Sequence, residues 1–359
     1  MSALKPGSTI GIIGGGQLGR MLAMAAARLG YRTVVLDPQG DCPAAQVANE
    51  QIVAAYDDAH GLARLGSECE IVTYEFENVP VEAAKSLGAN HPVFPPPRAL
   101  EMAQDRLTEK QFLNDAGIAT APFKAVDSNE SLADALAVFG GSGVLKTRRL
   151  GYDGKGQKVF RDAGGDQTAG VYEGMGSVPL ILEGFVPFST EISVVAARNA
   201  QGTKAAFDAS ENLHQGGILK RSTVPAHVQP KTLSAARAAT LRILDALDYV
   251  GVIGVEFFVL GDGSVIANEM APRVHNSGHW TEAACAVSQF EQHIRAICGL
   301  PLGNTARHSD CVMENLIGDD LDEAERLAAE PGLVLHLYGK TDARPGRKMG
   351  HFTRISRKS

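Results

Sequence analysis

Cysteine is scarce and scattered: five residues in 359, at positions 42, 69, 285, 298 and 311, an odd number without a CxxC pair. That spacing excludes a disulfide framework and argues against a zinc centre, and it suits reduced thiols in the cytoplasm. Long apolar runs are missing too. No window approaches 18 consecutive apolar residues without a charge, so no transmembrane helix is expected, and the opening MSALKPGS has no apolar signal core. Net positive charge is also absent: the formal balance of -7 speaks against a nucleic-acid binder that works by neutralising phosphates, while leaving room for local basic pockets. What is present is an ordinary globular composition, 44% hydrophobic and 21% charged, long enough for two or three domains. The expectation is a cytoplasmic protein acting on small molecules, with neither nucleic acid nor membrane as partner.

The first motif is GIIGGGQLGR, residues 11 to 20. Gly14, Gly16 and Gly19 fit GxGxxG between a strand-like TIGII and a helix-like MLAMAAARLG, and Asp37 follows at a distance suited to a ribose hydroxyl. Alone, this stretch reads as the dinucleotide loop of an NAD-dependent dehydrogenase. Apolar runs continue to alternate with helical patterns up to PVF at 92 to 94, with helices expected near 58 to 66 and from Pro80, which predicts a doubly wound parallel sheet with ligands beyond the carboxyl ends of its strands.

Three prolines in PPPRALEMAQD mark a boundary near residue 96. From about 118 the texture changes to short strands and hairpins with long helices, the clearest at 231 to 247 and 280 to 297; after GLPLG a small tail ends in the basic run RPGRKMGHFTR, a kind of run that by itself usually signals solvated surface. The division read from these shifts is 1–96, 97–300 with a lid at about 118–186, and 301–359.

VLKTRRLGYDGKGQKVF, residues 144 to 160, is not a Walker loop, because GxxxxGK[ST] is absent and a strand follows. Its glycines let backbone N–H groups approach phosphate oxygens, so a mobile phosphate cover is one reading and an exposed basic hairpin the other. GVIGVEFFVLGDGSVIANEMAPR carries a sharper argument. A two-residue Asp262-Gly263 turn places Glu256 directly opposite Glu269, six positions out on either side, with Cβ atoms about 4.5 to 5.5 Å apart. Apolar neighbours Val255, Phe257, Ile266 and Met270 screen this repulsion poorly, and a hard divalent cation such as Mg²⁺ resolves it. A three-residue turn breaks the pairing. Both glutamates solvated on an open face, or one of them titrating neutral, is the competing reading.

The ordered set GGGQLGRML, YEFENVP, QDRLTEK, GYDGKGQ, EGFVPFSTEIS, ENLHQGGIL, NEMAPRVHNSGHWT and YGKTDARPGRKMGH resembles the ATP-grasp superfamily, and within it the 5-(carboxyamino)imidazole ribonucleotide synthases, nearly end to end. The resemblance implies an α/β and α+β multidomain fold: an N-terminal doubly wound parallel sheet, then an ATP-grasp fold with a mobile lid, then a small C-terminal domain. It implies ATP and Mg²⁺ as cofactors and a homodimer. For ATP it implies Arg106 and Lys146 at the phosphates, Gly151, Tyr152, Asp153, Gly154, Lys155, Gly156 and Gln157 closing over them, and Glu183, Gly184, Phe185 and Val186 as the adenine hinge. Glu191 at the ribose, His214 and Asn268 complete that set, with Glu256 and Glu269 as metal ligands.

By the same resemblance the glycine turn faces aminoimidazole ribonucleotide instead of NAD. Gln17, Leu18, Glu75 and Tyr152 touch that substrate, and Lys340 and Arg347 hold its phosphate. The activity implied is ATP-dependent carboxylation with bicarbonate through carboxyphosphate, which needs spread positive charge and exclusion of water. Arg273, His275 and Asn276 stand a few residues beyond Glu269, so Arg273 is expected to bind bicarbonate and His275 to orient or deprotonate a reacting group, while Asp153 faces the amine. Other readings are a formate-using glycinamide ribonucleotide transformylase, a dehydrogenase, and a nucleotide sensor without turnover.

Overall fold

The computed structural model describes residues 2–151, 156–163 and 167–359. In its first region β1 (Thr9–Ile13), α1 (Gln17–Arg28), β2 (Arg32–Asp37), β3 (Glu50–Val53), α2 (Ala59–Glu68), β4 (Ile71–Tyr74) and α3 (Val81–Gly88) build a parallel sheet in the order β3-β2-β1-β4. Strands β1, β2 and β4 read as unbroken apolar runs because helices cover both faces. PVF, expected as a fifth strand, contributes a single bridge from Val93 to Val72. β3 was not anticipated: EQIV buries one side chain and carries little apolar signal.

After α4 (Pro97–Ala103) and α5 (Arg106–Asp115), the strands β5 (Phe123–Val126), β6 (Gly143–Thr147), β7 (Gln157–Phe160) and β8 (Leu180–Gly184) form an antiparallel sheet, order β5-β8-β6-β7, with α6 (Asn129–Val138) and α7 (Val171–Gly174) beside it. Leu132, Leu136, Leu145, Leu180 and Leu182 make its own small core. β6 and β7 are the expected hairpin.

The remaining strands are β9 (Phe188–Arg198), β10 (Lys204–Ala206), β11 (Ser210–Gln215), β12 (Ile218–Val224), β13 (Gly251–Leu260), β14 (Val265–Ala271), β15 (Ser309–Ile317), β16 (Leu333–Leu337) and β17 (Lys348–Arg357). They join in one sheet, order β14-β13-β9-β11-β12-β15-β17-β16, with β10 beside β9. β17 is the basic run: its Met349, Gly350, His351, Phe352 and Thr353 are buried, because β15 and β16 pair with it on both sides. α8 (Pro230–Ala246) lies where the periodicity placed a helix. The helix expected from 280 to 297 is broken into α9 (Thr281–Ala284) and α10 (Gln289–Ile297), because Cys285 turns to extended geometry and bridges Arg307 while Ser288 caps the new start. α11 (Ala324–Ala328) completes the helices among the described residues, and no helix there is long and apolar enough to cross a membrane.

The hairpin of β13 and β14 reaches the expected pairing by another route. Leu260 and Ser264 flank a three-residue turn with Gly263 at φ +81°, so pairs near the turn stand one residue out of the anticipated register. A bulge at Asn268 restores it, and Glu256 pairs with Glu269 after all.

One core joins the parallel-sheet region to the large sheet and its C-terminal strands. Met21 and Leu22 of α1 pack with Trp280, Phe290 and Ile294, and with Met313 and Tyr338 of the C-terminal strands. Each such side chain contributes about 1.5–3 kcal/mol on burial. The glycine turn is equally tight, since a Cβ on Gly15 would stand 2.1 Å from Cys42 Sγ and 2.9 Å from Asp37 Cβ. Cys42 is 1% exposed and has no room to retreat. Gly15→Ala is therefore expected to lose ~1–3 kcal/mol, read as a lower urea midpoint at unchanged slope; a midpoint equal to the parent's would rule this packing out.

Candidate active site

A cleft of about 700 Å³ opens between the three regions. Helix α1 brings Gln17 and Leu18 to it, the turn after β4 brings Glu75, and α5 brings Arg106; β6 and β7 supply Lys146 and Gln157, with Gly151 between them. From the large sheet come Glu191 on β9, His214 on β11, Glu256 on β13, and Asn268 and Glu269 on β14, followed by Arg273, His275 and Asn276. Most of the residues singled out from the sequence thus share one lining. Gly156, Glu183, Gly184, Phe185, Val186, Lys340 and Arg347 stand outside it. Tyr152, Asp153, Gly154 and Lys155 lie outside the described residues.

The glycine turn needs a correction. Its amides were expected to hold a ligand anion, yet Gly16 N and Gly19 N each donate to the Glu75 carboxylate at 2.6 Å, and Gly15 N donates to Asp37 Oδ2 at 2.7 Å. The protein's own carboxylates answer the N-terminal end of α1. Asp37 also accepts from Tyr56 Oη at 2.6 Å and from Gln39 N at 2.8 Å, which gives it a structural task in place of a ribose. Burial pushes Glu75 above the usual carboxylate range, although the two amides pull the other way.

Three cations are held in place by acids. Lys146 Nζ donates to Glu183 Oε2 at 3.0 Å; Lys110, 1% exposed, reaches the same oxygen at 3.3 Å and donates to the carbonyl of the bulge residue Asn268 at 3.3 Å. Burial opposes ionisation of Glu183, but the lysines, led by Lys146, hold it below its ordinary value. Arg106 follows the capping Asp105 on α5, donates to Glu269 Oε2 at 3.2 Å, and donates to Gly151 O at 3.1 Å.

The opposed glutamates differ in state. Burial, then the Glu269 charge, pushes Glu256 up to about 7. Glu269 is also opposed by burial, yet Arg106 and Lys146 hold it below the usual carboxylate range. Nearby Glu109, driven up to about 8 by burial and by Glu269, accepts from Met270 N at 2.6 Å and is a neutral acid at pH 7. His214 Nδ1 lies 2.9 Å from Glu191 Oε2, and its Nε2 lies 4.0 Å from Glu256.

Arg273 is paired through Nε with Glu77, whose carboxyl it holds down at about 2 against the effect of burial, and it donates from Nη1 to Val274 O at 3.0 Å. His275 is pushed down to about 3 by burial and by Arg273, so its ring is neutral at pH 7. Its Nδ1 lies 2.8 Å from Ser277 Oγ, which accepts from Ser193 Oγ at 2.6 Å and so gives its own proton to the ring. The ring proton is then on Nε2, 3.7 Å from Glu256 Oε1. Asn276 exchanges two amide hydrogen bonds with Asn315, at 2.6 and 3.0 Å.

Phe185, half exposed at the end of β8, lies under the Arg161 guanidinium. Lys340 donates to Lys348 O at 2.8 Å, and burial together with Arg347 lowers it to about 8. Arg347 Nη1 donates to Asp342 O at 2.8 Å.

Several cleft residues escaped the sequence reading. Phe188 and Phe258 stack at 4.5 Å and 17°, and with Val144 and Val159 they give the cleft an apolar wall. Their spacing carries no signal, because they meet only through the β9–β13 pairing. Glu77 could have been found: it stands two positions beyond Glu75 in YEFEN. Lys110 and Lys348 resemble any surface lysine until the fold places them.

A parallel sheet, a small antiparallel lid sheet and a large sheet that together enclose a cleft with facing carboxylates and clamped cations define an ATP-grasp enzyme, and family models match accordingly: the ribonucleotide synthetase preATP-grasp domain over residues 7–104, the ATP-grasp domain over 111–290, and the phosphoribosylaminoimidazole carboxylase C-terminal domain over 311–359. An N5-carboxyaminoimidazole ribonucleotide synthase of Brucella melitensis is 63% identical over 99% of this chain and 98% of its own length. Two solved structures are close: the Staphylococcus aureus N5-carboxyaminoimidazole synthetase complexed with ADP (TM-score 0.94, 38% identity, 99% of this chain and 95% of that one), and the Aspergillus clavatus synthase in complex with ADP and 5-aminoimidazole ribonucleotide (TM-score 0.91, 30% identity, 98% and 94%). The chain belongs to the N5-carboxyaminoimidazole ribonucleotide synthase family, and it is an ATP-dependent carbon–nitrogen ligase of purine biosynthesis.

The raised Glu256 has a measurable consequence. Its folded value lies above the unfolded one, so its burial destabilises the chain increasingly as pH climbs from about 4.5 to about 7, and fully above that. Glu256→Gln mimics the protonated acid. In EDTA, without nucleotide, this variant should melt higher than the parent at pH 8, with the gap narrowing toward pH 5. An equal gap at both pH values would contradict the shift.

Proposed function

We propose that this cleft carboxylates 5-aminoimidazole ribonucleotide as follows. A bicarbonate oxygen attacks the γ-phosphorus of ATP, ADP departs, and carboxyphosphate forms. The exocyclic amine of the ribonucleotide then attacks the carboxyl carbon, the C–O bond to phosphate breaks, and the nitrogen loses a proton. The products are 5-(carboxyamino)imidazole ribonucleotide, ADP and phosphate.

The observation that carries this reading is the pairing of Glu256 and Glu269 beside Arg106 and Lys146, in the same cleft as Gln17, Leu18, Glu75 and Arg273. Two facing carboxylates, one destabilised as an ion, fit a hard divalent cation, and Glu256 and Glu269 are the residues that would hold Mg²⁺. When bound, Mg²⁺ supplies charge neutralisation at the phosphate oxygens.

Lys146 and Arg106, already oriented by Glu183 and Glu269, meet the triphosphate. The slot of Phe188, Phe258, Val144 and Val159 takes the adenine ring, and the backbone of Glu183, Gly184, Phe185 and Val186 reads its edge. Glu191 receives the ribose hydroxyls, with His214 beside it. Residues 151–157, including Tyr152, Asp153, Gly154, Lys155 and Gly156, cover the phosphates, and Tyr152 and Asp153 also face the imidazole.

Arg273 keeps part of its fork for bicarbonate while Glu77 fixes its plane. His275, neutral and protonated on Nε2, works as a hydrogen-bond donor that orients the activated carboxylate, which replaces the base role considered from the sequence. Asn276, tied to Asn315, shapes the floor. With Gly16 and Gly19 committed to Glu75, the amides of Gln17 and Leu18 are the α1 donors for the ribonucleotide, and Lys340 and Arg347 bind its phosphate. The reading includes a cytoplasmic homodimer.

ADP release should require both bicarbonate and aminoimidazole ribonucleotide. Release driven by formate and glycinamide ribonucleotide would replace this reading with the transformylase. Lys340→Ala removes a charge-assisted contact and should raise KM for the ribonucleotide by ~10- to 100-fold with KM for ATP unchanged. An unaltered ribonucleotide KM would take Lys340 out of the phosphate site.

A further inference from the structure

A second group of metal-ligating side chains lies apart from the cleft lining. His336 on β16 and His351 on β17 are directly opposed in an antiparallel pair, so both project from the same face of the sheet. Their rings are parallel to within 11°, with centroids 5.3 Å apart. Glu282, on the short helix α9, places Oε2 at 3.3 Å from His336 Nδ1. One ligand atom from each of the three lies within 4.8 Å of the others. Two imidazoles and a carboxylate are a donor set suited to zinc. Tyr338 Oη, 2.9 Å from His351 Nδ1, holds that nitrogen and leaves Nε2 for a metal.

A separate observation concerns His279, which is fully buried with its ring 4.7 Å from that of His351. The Gln289 amide is oriented by the His275 backbone, accepting from its N–H and donating to its C=O, and the same amide nitrogen donates to His279 Nδ1 at 3.0 Å. The His279 proton is therefore on Nε2. That atom has no hydrogen-bond partner among the described residues. Buried donors are rarely left so, and an acceptor is called for at this position.

We propose that Glu282, His336 and His351 form a zinc site whose fourth position holds a water that accepts the His279 Nε2 proton. The ion clips α9, which follows the loop of Arg273, His275 and Asn276, to the C-terminal strands β16 and β17. Its role is structural, and it is distinct from the divalent site at Glu256 and Glu269.

The test uses the full chain, stripped with EDTA, returned to zinc and desalted. Metal content, a calorimetric zinc titration and the visible spectrum of the cobalt-loaded form are read in parallel. One equivalent per chain is expected, with tetrahedral cobalt bands and a melting temperature raised by several degrees on adding zinc. Glu282→Gln and His336→Gln, near-isosteric changes at partly exposed positions, should each lose the ion and the thermal gain. His214→Gln, which alters the cleft cluster of Glu191, His214 and Glu256, should keep both. Far-UV circular dichroism checks that each variant folds. Failure of the parent to retain zinc, retention by both Glu282→Gln and His336→Gln, or loss in His214→Gln overturns the proposal.

Discussion

Like charges forced together in a dry place must be compensated, and the pairing of Glu256 with Glu269 imposes that demand on everything around it. Arg106 answers Glu269 directly, at 3.2 Å. Glu256 stands 3.7 Å from His275 and 4.0 Å from His214, and the Lys348 charge on β17 also acts on it. The protein's own groups thus leave its deepest acid under-compensated and raised to about 7. In the proposed reading, a divalent cation between the two carboxylates would relieve this repulsion. Replacing either glutamate by an apolar residue would remove the strain together with the reason for the cation to bind.

The cations of the cleft are prepared in the same spirit. Lys146 is not a free ammonium waiting in solvent: Glu183 holds it, and Lys110 ties Glu183 to the bulge at Asn268. Positive charge that is already desolvated and oriented needs little reorganisation when charge shifts during phosphoryl transfer. His275 follows the same logic through polar neighbours. Asn212 and Ser210 support Ser193, Ser193 fixes Ser277, and Ser277 fixes the ring proton on Nε2. A neutral donor next to Glu256 avoids a second buried positive charge beside Arg273.

Much of this was legible in the chain, though not always for the reason first given. The facing glutamates followed from Asp-Gly turn chemistry, yet the turn has three residues, and the pairing survives only because the bulge at Asn268 adds back one position. Bulges leave almost no trace in hydrophobic alternation, so two errors cancelled. The glycine turn was correctly placed before α1, but the spacing of glycines cannot tell whether a ligand or an internal carboxylate will take their amides. Glu75 and Asp37 take them here, and both come from other strand ends. Taken alone, the basic run of β17 looks like solvated surface because its charge outweighs its apolar content, whereas pairing on both sides buries its middle. Phe188, Phe258 and Lys110 were hidden for a common reason: they become site residues through partners roughly 70 to 160 positions away.

The large sheet also explains how two substrates can be held to the precision that reaction between them needs. Reacting atoms must be kept about 3–3.5 Å apart and aligned. Glu269 lies on β14 at one end of the strand order, Glu256 on β13, Glu191 on β9 and His214 on β11; Lys348 begins β17 near the other end. A continuous hydrogen-bonded ladder links all five. The glycine turn is anchored to the same body, because α1 packs on Trp280, Phe290 and Tyr338, and Gln46 donates to Gly339 O at 3.0 Å. The cleft residues of α1 and those of the large sheet are thereby fixed in one frame. The small sheet of β5, β8, β6 and β7 keeps its own core, apart from that frame.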